Sequence, residues 1–228
     1  MKWPGIEQLP TMTSLPAGYS VNVLARHEVP VLMAAIERWY PDVRVGSASK
    51  YLRQSFYDSK VDFGEGLGKE YLVAAFKHGD TIVGMWSWEQ EPDALSLYAH
   101  LGVFAPEHRA ARLGSSVPPL SEAMGRAMGA EFLYGMATTK APYMQQLLER
   151  AGFTLIGMTP GYDRELVSPG VVKRVYEAVY AKPLVPTAEM LIPETSNMTP
   201  KTRALLNFCS RLRSRRQKLQ IAHDLGAA

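Results

Sequence analysis

Val103-Phe104-Ala105-Pro106-Glu107-His108-Arg109-Ala110-Ala111-Arg112-Leu113-Gly114-Ser115-Ser116 decides how this chain is read. An apolar run from Leu95 to Phe104, with the character of a strand, leads into it, and a segment of helical character leaves it. A strand that feeds a short Arg/Gly/Ser turn and then a helix aims several backbone N–H groups at one spot. The positive end of the helix dipole reinforces that spot, which suits a phosphate or diphosphate. Pro118-Pro119 bears on the geometry, because helices accept proline only in their first turn. The helix therefore starts late, near Val117, or is kinked.

Upstream, Tyr19 to Leu24 reads as a strand, and Val31, Leu32, Ala35, Ile36 and Trp39 recur at helical spacing until Pro41. Ser47 could cap a second short helix carrying Tyr51, Leu52 and Phe56, and the three glycines between Asp62 and Lys69 predict a mobile loop. Tyr71–Phe76 and Thr81–Trp86 flank a turn at His78-Gly79-Asp80, and Ala94 to Phe104 completes a three-strand meander. Downstream, Leu120, Met124 and Met128 mark a helix face ended near Gly129. Glu131 to Ala137 is a strand, Ala141 to Ala151 a helix stopped by Gly152, and Thr154–Met158 and Arg174–Ala181 are strands joined by a loop.

That element order, with the quoted stretch at its centre, resembles the GNAT superfamily of N-acyltransferases over about residues 19–183. The family's cofactor motif runs Pro-x-x-Arg/Gln-x-x-Gly-x-Gly/Ala. Pro106, Arg109 and Gly114 match it, and Arg112 stands where the first glycine belongs. Arg112 either brings its guanidinium to the diphosphate or leaves the cradle partly spoiled, since a missing Cβ is what lets a phosphate approach the backbone. Met144 to Phe153 is similar to the family's later helix with its Gly-Phe ending, Gly152 supplying a left-handed cap.

The resemblance implies an α/β (α+β) fold with a mixed central sheet of about six to seven strands flanked by helices. It also implies acetyl-CoA or another acyl-CoA as co-substrate and a primary amine, small-molecule or macromolecular, as acceptor. Arg109, Arg112, Leu113, Gly114 and Ser115 would hold the diphosphate, and the main chain of Gly102, Val103 and Phe104 the cofactor's amide arm. His100 occupies the position of a frequent family glutamate, six residues before the motif proline. An imidazole with an ordinary pKa of about 6.5 could accept a proton there; strand packing is its other reading, and Glu89 and Glu91 are alternatives. The family tyrosine that protonates the departing thiolate is replaced by Leu148, leaving Tyr143 as the nearest hydroxyl, and the family asparagine by Ala141-Pro142. These departures keep open a binding module that has lost catalysis.

Composition sets the outer bounds. An apolar fraction of 46% and a charged fraction of 21% over 228 residues describe a globular chain with a full core. No apolar run reaches the ~18–20 residues that span a bilayer. One cysteine, Cys209, excludes an internal disulfide and a cysteine-based metal cluster, and the five histidines are scattered, so no metal site is expected and a cytoplasmic setting is favoured. Residues 1–18 read as an extended lead-in and 184–228 as an extension with a basic helix. Thr199-Pro200 starts that helix. Its stripe of Leu205, Leu206, Phe208, Cys209 and Leu212 could dock on the core or on a second copy, and Arg213, Arg215, Arg216 and Lys218 could contact nucleic acid.

Overall fold

The computed structural model describes residues 1–9 and 15–212. Its sheet grows from the meander. Strands β3 (Tyr71–His78), β4 (Thr81–Glu91) and β5 (Ser96–Phe104) pair antiparallel, and β4 is buried along nearly its whole length. β1 (Tyr19–Val23) and the two-residue β2 (Val61–Asp62) both lie along the outer side of β3. On the other side β5 runs parallel to β6 (Phe132–Thr138), which is followed outward by β8 (Val171–Pro183) and β7 (Thr154–Ser168). The sheet has eight strands, in the order β1-β3-β4-β5-β6-β8-β7 with β2 beside β3, so the sequence count was short by the minimal β2.

Helices cover the sheet: α1 (Val29–Trp39), α2 (Gln54–Lys60), α3 (Val117–Ala127) and α4 (Tyr143–Arg150). α1 buries Val29, Leu32, Ala35, Ile36 and Trp39, a stripe at helical spacing. α3 starts at Val117, so both prolines fall in the first turn, where a missing N–H breaks no intrahelical bond. Trp88 on β4 is fully buried and donates its indole N–H to Ser121 Oγ on α3 at 2.8 Å, which anchors that helix to the sheet. α4 ends in a Schellman motif. Phe153 N–H donates to Leu148 O at 3.0 Å and Gly152 N–H to Glu149 O at 3.1 Å, with Gly152 at φ +89°.

Two expectations are corrected. Residues 1–9 are no extended lead-in: Trp3, Ile6 and Leu9 are buried in the core, and the Trp3 indole donates to Lys69 O at 2.8 Å. The glycine-rich segment is a loop, as the sequence predicts, and Asp62 organises its start: its Oδ1 accepts N–H bonds from Gly64 and Glu65 at 2.9 and 3.0 Å. The loop between the last two strands is in fact strand: β7 and β8 form one long hairpin turned at Pro169-Gly170. Irregularities between Thr159 and Asp163 absorb Pro160 and Gly161 and hide the alternation. The segment from Glu189 to Ile192 pairs with no strand, and Leu191 and Ile192 stand in solvent. Residues 200–212 are helical, begun by Thr199 Oγ1 accepting the N–H of Thr202 at 3.2 Å, and Leu205 and Phe208 are half exposed. The basic cluster from Arg213 to Lys218 lies outside the described residues.

Candidate active site

The site originates in a bulge. Trp86 pairs with Gly102 but Trp88 pairs with Ala99, so Ser87 on β4 faces both His100 and Leu101 on β5. The extra residue bends the bulged strand. Ser87 fastens the bend: its Oγ accepts the N–H of Leu101 at 3.2 Å and lies 2.5 Å from the Tyr51 hydroxyl. Parallel pairing of β5 with β6 runs only from Ser96–Phe132 to Ala99–Gly135, while β6 stays bonded to β8 through Thr138. The two strands therefore part beyond Ala99, and residues 100–104 have no strand partner on the β6 side.

The parted strand runs into the motif. Pro106–Ala111 forms a 3-10 helix, Arg112 follows in the left-handed region at φ 54°, and a second 3-10 turn, Leu113–Ser116, continues into α3. Leu113 and Gly114 open that turn, so their N–H groups have no acceptor within it. Arg112 thus adopts the backbone that glycine would take without cost, and its side chain is exposed. A cavity of about 250 Å³ lies against the turn, lined by Tyr40, Phe104, Arg109, Leu113, Gly114 and Tyr143 among others. The Arg109 guanidinium sits 5.4 Å from the Tyr40 ring, and among the described residues neither Arg109 nor Arg112 is paired with a carboxylate. A methyl group at Gly114 would stand 3.4 Å from the Tyr143 hydroxyl. Two guanidinium groups without a carboxylate partner, the opening amides of a helical run and a side-chain-free Gly114 fit a diphosphate.

His100 sits on the bulge, its side chain 8% exposed, and the Lys50 Nζ lies 2.9 Å from its Nε2. Burial, reinforced by the Lys50 charge, pushes its pKa down to about 3. The ring is therefore neutral at physiological pH with its Nε2 lone pair facing an ammonium. The expectation of an imidazole titrating near 6.5 is corrected. Tyr143 lines the cavity at the turn, whereas His100 lines a second one. Leu148 is buried. Glu91 is engaged by Ser96 and Tyr134, while Glu89 Oε2 stands 3.8 Å from His100.

This second cavity, about 350 Å³, fills the gap where β5 and β6 part and shares Tyr40 with the first. Trp86, Tyr98, Gly102 and Val103 form one wall, and Asp163, Glu165 and Glu177 of the β7–β8 hairpin another. Asp163 is fixed by the N–H and Oγ of Ser47 at 2.8 and 2.6 Å, and Glu165 pairs with Lys140. Glu177 is half-buried, and burial together with the charges of Asp163 and Glu165 pushes its pKa up to about 7. Sequence reading missed all three carboxylates, because only the hairpin register brings residues 163, 165 and 177 to one cavity.

Among solved structures, spermidine N-acetyltransferase from Vibrio cholerae, a dodecamer, matches at TM-score 0.57 and 12% identity, over 74% of this chain and 95% of that one. Ribosomal-protein-S5-alanine acetyltransferase from Vibrio fischeri matches at 0.57 and 10%, over 74% and 94%. The ribosomal L7/L12 α-N-protein acetyltransferase RimL, in complex with coenzyme A, matches at 0.56 and 11%, over 74% and 96%. No family model matches the chain, and no curated protein matches it by sequence. The chain has the GNAT fold: a mixed sheet flanked by helices and opened between two parallel strands beside a strand–turn–helix. Among the described residues no helix is long and apolar enough to cross a membrane, and no cluster of His, Cys, Asp or Glu could hold a metal ion.

Proposed function

We propose that this protein is an acyl-CoA-dependent N-acyltransferase, most simply an acetyltransferase, that transfers the acyl group directly to a primary amine. The observation that carries the reading is the parting of β5 from β6 beyond Ala99, which runs from an acidic cavity into the Arg112–Gly114 turn. Leu113, Gly114 and Ser115 would hold the diphosphate with Arg109 and Arg112, and the freed backbone of Gly102, Val103 and Phe104 the cofactor's amide arm. The Tyr143 hydroxyl, beside Gly114, would reach the cofactor and could protonate the departing thiolate. His100, kept neutral, would shape the wall between the cavities rather than remove a proton. The acceptor is a small molecule or a terminus or side chain of a macromolecule, and one cysteine fits a cytoplasmic setting.

The test is thermal unfolding with acetyl-CoA. A ligand at a hundredfold its Kd stabilises the native state by about 2.7 kcal/mol, a rise of several degrees. The absence of any rise with acetyl-CoA, longer acyl-CoAs and free CoA at millimolar concentration overturns the reading. A second reading, a module that binds acyl-CoA without turning it over, is favoured by the buried Leu148 at the position of the usual acid. Tight binding without turnover on a broad amine panel would select it.

A further inference from the structure

Among the carboxylates that line the cavity between β5 and β6, Glu177 differs from its neighbours. Asp163 is held by Ser47, and Glu165 by Lys140. Glu177 has no hydrogen bond or ion pair from its carboxylate among the described residues; only its backbone oxygen is engaged, by Thr159 Oγ1 at 3.3 Å. Neither carboxylate oxygen is sealed from the cavity, for neither is among the buried unpartnered atoms. A half-buried carboxylate that faces a cavity and is left unpaired is poised to receive a cation.

We propose that Glu177 receives the acceptor's ammonium group and takes its proton, a role that rests on the acyl-transfer reading. The groups around it agree. From β5 comes the Tyr98 phenol and from β7 the Tyr162 phenol, each held neutral by burial, with Asp163 and Glu165 beside them. β6 contributes Tyr134, stacked on Tyr98 at 4.7 Å and bonded to Glu91. Two cations line this cavity, Lys140, which Glu165 and Asp42 occupy, and the exposed Arg164, against the four carboxylates of Asp42, Asp163, Glu165 and Glu177. The wall therefore carries an excess of negative charge with one unengaged carboxylate, and the phenols offer rings to a cation's apolar flank. Burial, with the charges of Asp163 and Glu165 added, raises the Glu177 pKa to about 7, where a carboxylate removes a proton more effectively than an ordinary one.

The step balances as follows. Glu177 takes one proton from the ammonium and passes it to solvent. The freed amine nitrogen forms a bond to the thioester carbon, and the carbon–sulfur bond breaks with its electron pair on sulfur. The second nitrogen proton ends on that sulfur, leaving an amide and a thiol. His100 cannot serve this step, because its accepting nitrogen faces Lys50.

Glu177→Gln is the test, with two readouts. With a transferable amine, wild-type kcat/KM should rise through an apparent pKa near 7, and E177Q should lose that limb and about a hundredfold in kcat/KM at pH 7.5. The second readout is stability. A carboxyl whose folded pKa lies above its unfolded value loses stability as pH rises from about 4.5 through 7, so E177Q should melt above wild type at pH 8 and level with it at pH 4. Acetyl-CoA must still raise the melting temperature of E177Q, which shows the fold and the cofactor site intact. Wild-type turnover with E177Q within threefold at every pH overturns the role and leaves the transferase reading standing. A melting difference independent of pH also overturns it. A wild type that no acyl-CoA protects, or that transfers to no amine, removes both.

Discussion

The Lys50 ammonium and the His100 Nε2 lie 2.9 Å apart at the bulge where β5 leaves its neighbour. Burial among the surrounding aromatic rings, reinforced by the Lys50 charge, keeps this histidine neutral far below the usual pH. Its folded pKa, about 3, lies below its unfolded value near 6.5. The unfolded chain therefore binds the extra proton first, and the native state loses stability as pH falls from about 6.5 towards 3. His100→Gln should flatten that dependence by up to one proton, worth on the order of 1–2 kcal/mol between pH 6.5 and 5. Urea unfolding of both proteins at pH 7 and pH 5 reads it. Parallel losses in the two proteins would exclude the neutral imidazole.

Ser87 holds the bulge through Tyr51 and Leu101. Ser87→Ala leaves a buried phenol and a strand N–H without their partner, at a cost of about 1–3 kcal/mol. The bend should relax as well, so acetyl-CoA should bind more weakly. Calorimetric titration and denaturant unfolding measure the two effects separately.

Gly102 is required by its neighbour. A Cβ there would fall 2.0 Å from Cε3 of Trp86, so Gly102→Ala should destabilise by about 1–3 kcal/mol through overpacking. The tryptophan emission should shift with it. Pairing the change with Trp86→Leu should recover much of the loss, and a strictly additive double mutant would rule out the clash.

Arg112 has the opposite character. Its left-handed backbone costs an arginine about 1–2 kcal/mol that glycine avoids; glycine's larger unfolded-state entropy offsets roughly 0.5–1 kcal/mol of that. Arg112→Gly should therefore match or modestly exceed the wild type in melting temperature, while Arg112→Ala keeps most of the strain. If the guanidinium contacts the diphosphate, both variants should bind CoA more weakly at low salt, and the gap should narrow as salt rises.

How far the sequence could be read follows from where each signal resides. The meander, the late start of α3 at Val117 and the Gly152 cap rest on local chemistry: apolar runs, proline tolerance and positive φ. All three stand in the structure. The motif turn was visible because Pro106, Arg109 and Gly114 lie within nine residues. The buried N-terminal residues were hidden, since Trp3 and Ile6 are too few to show a period and find their partners only across the fold. Glu177 was hidden for a different reason. Its meaning depends on Asp163 and Glu165, which the hairpin brings beside it by a register that Pro160 and Gly161 disguise. For His100 the sequence leaves a proton acceptor and a packed strand residue both open, because nothing in its neighbours along the chain reveals Lys50, fifty residues away.

The two walls of the β5–β6 gap belong to halves of the sheet joined by only four paired residues on each side, Ser96–Ala99 against Phe132–Gly135. One half carries the turn proposed to hold the cofactor, and the other ends in the hairpin that bears the acidic wall. On the proposed acyl-transfer reading, exchanges along residues 159–177 would change which amine is admitted and leave the grip on the acyl donor as it is, so descendants of this chain would diverge in diet without relearning their common currency.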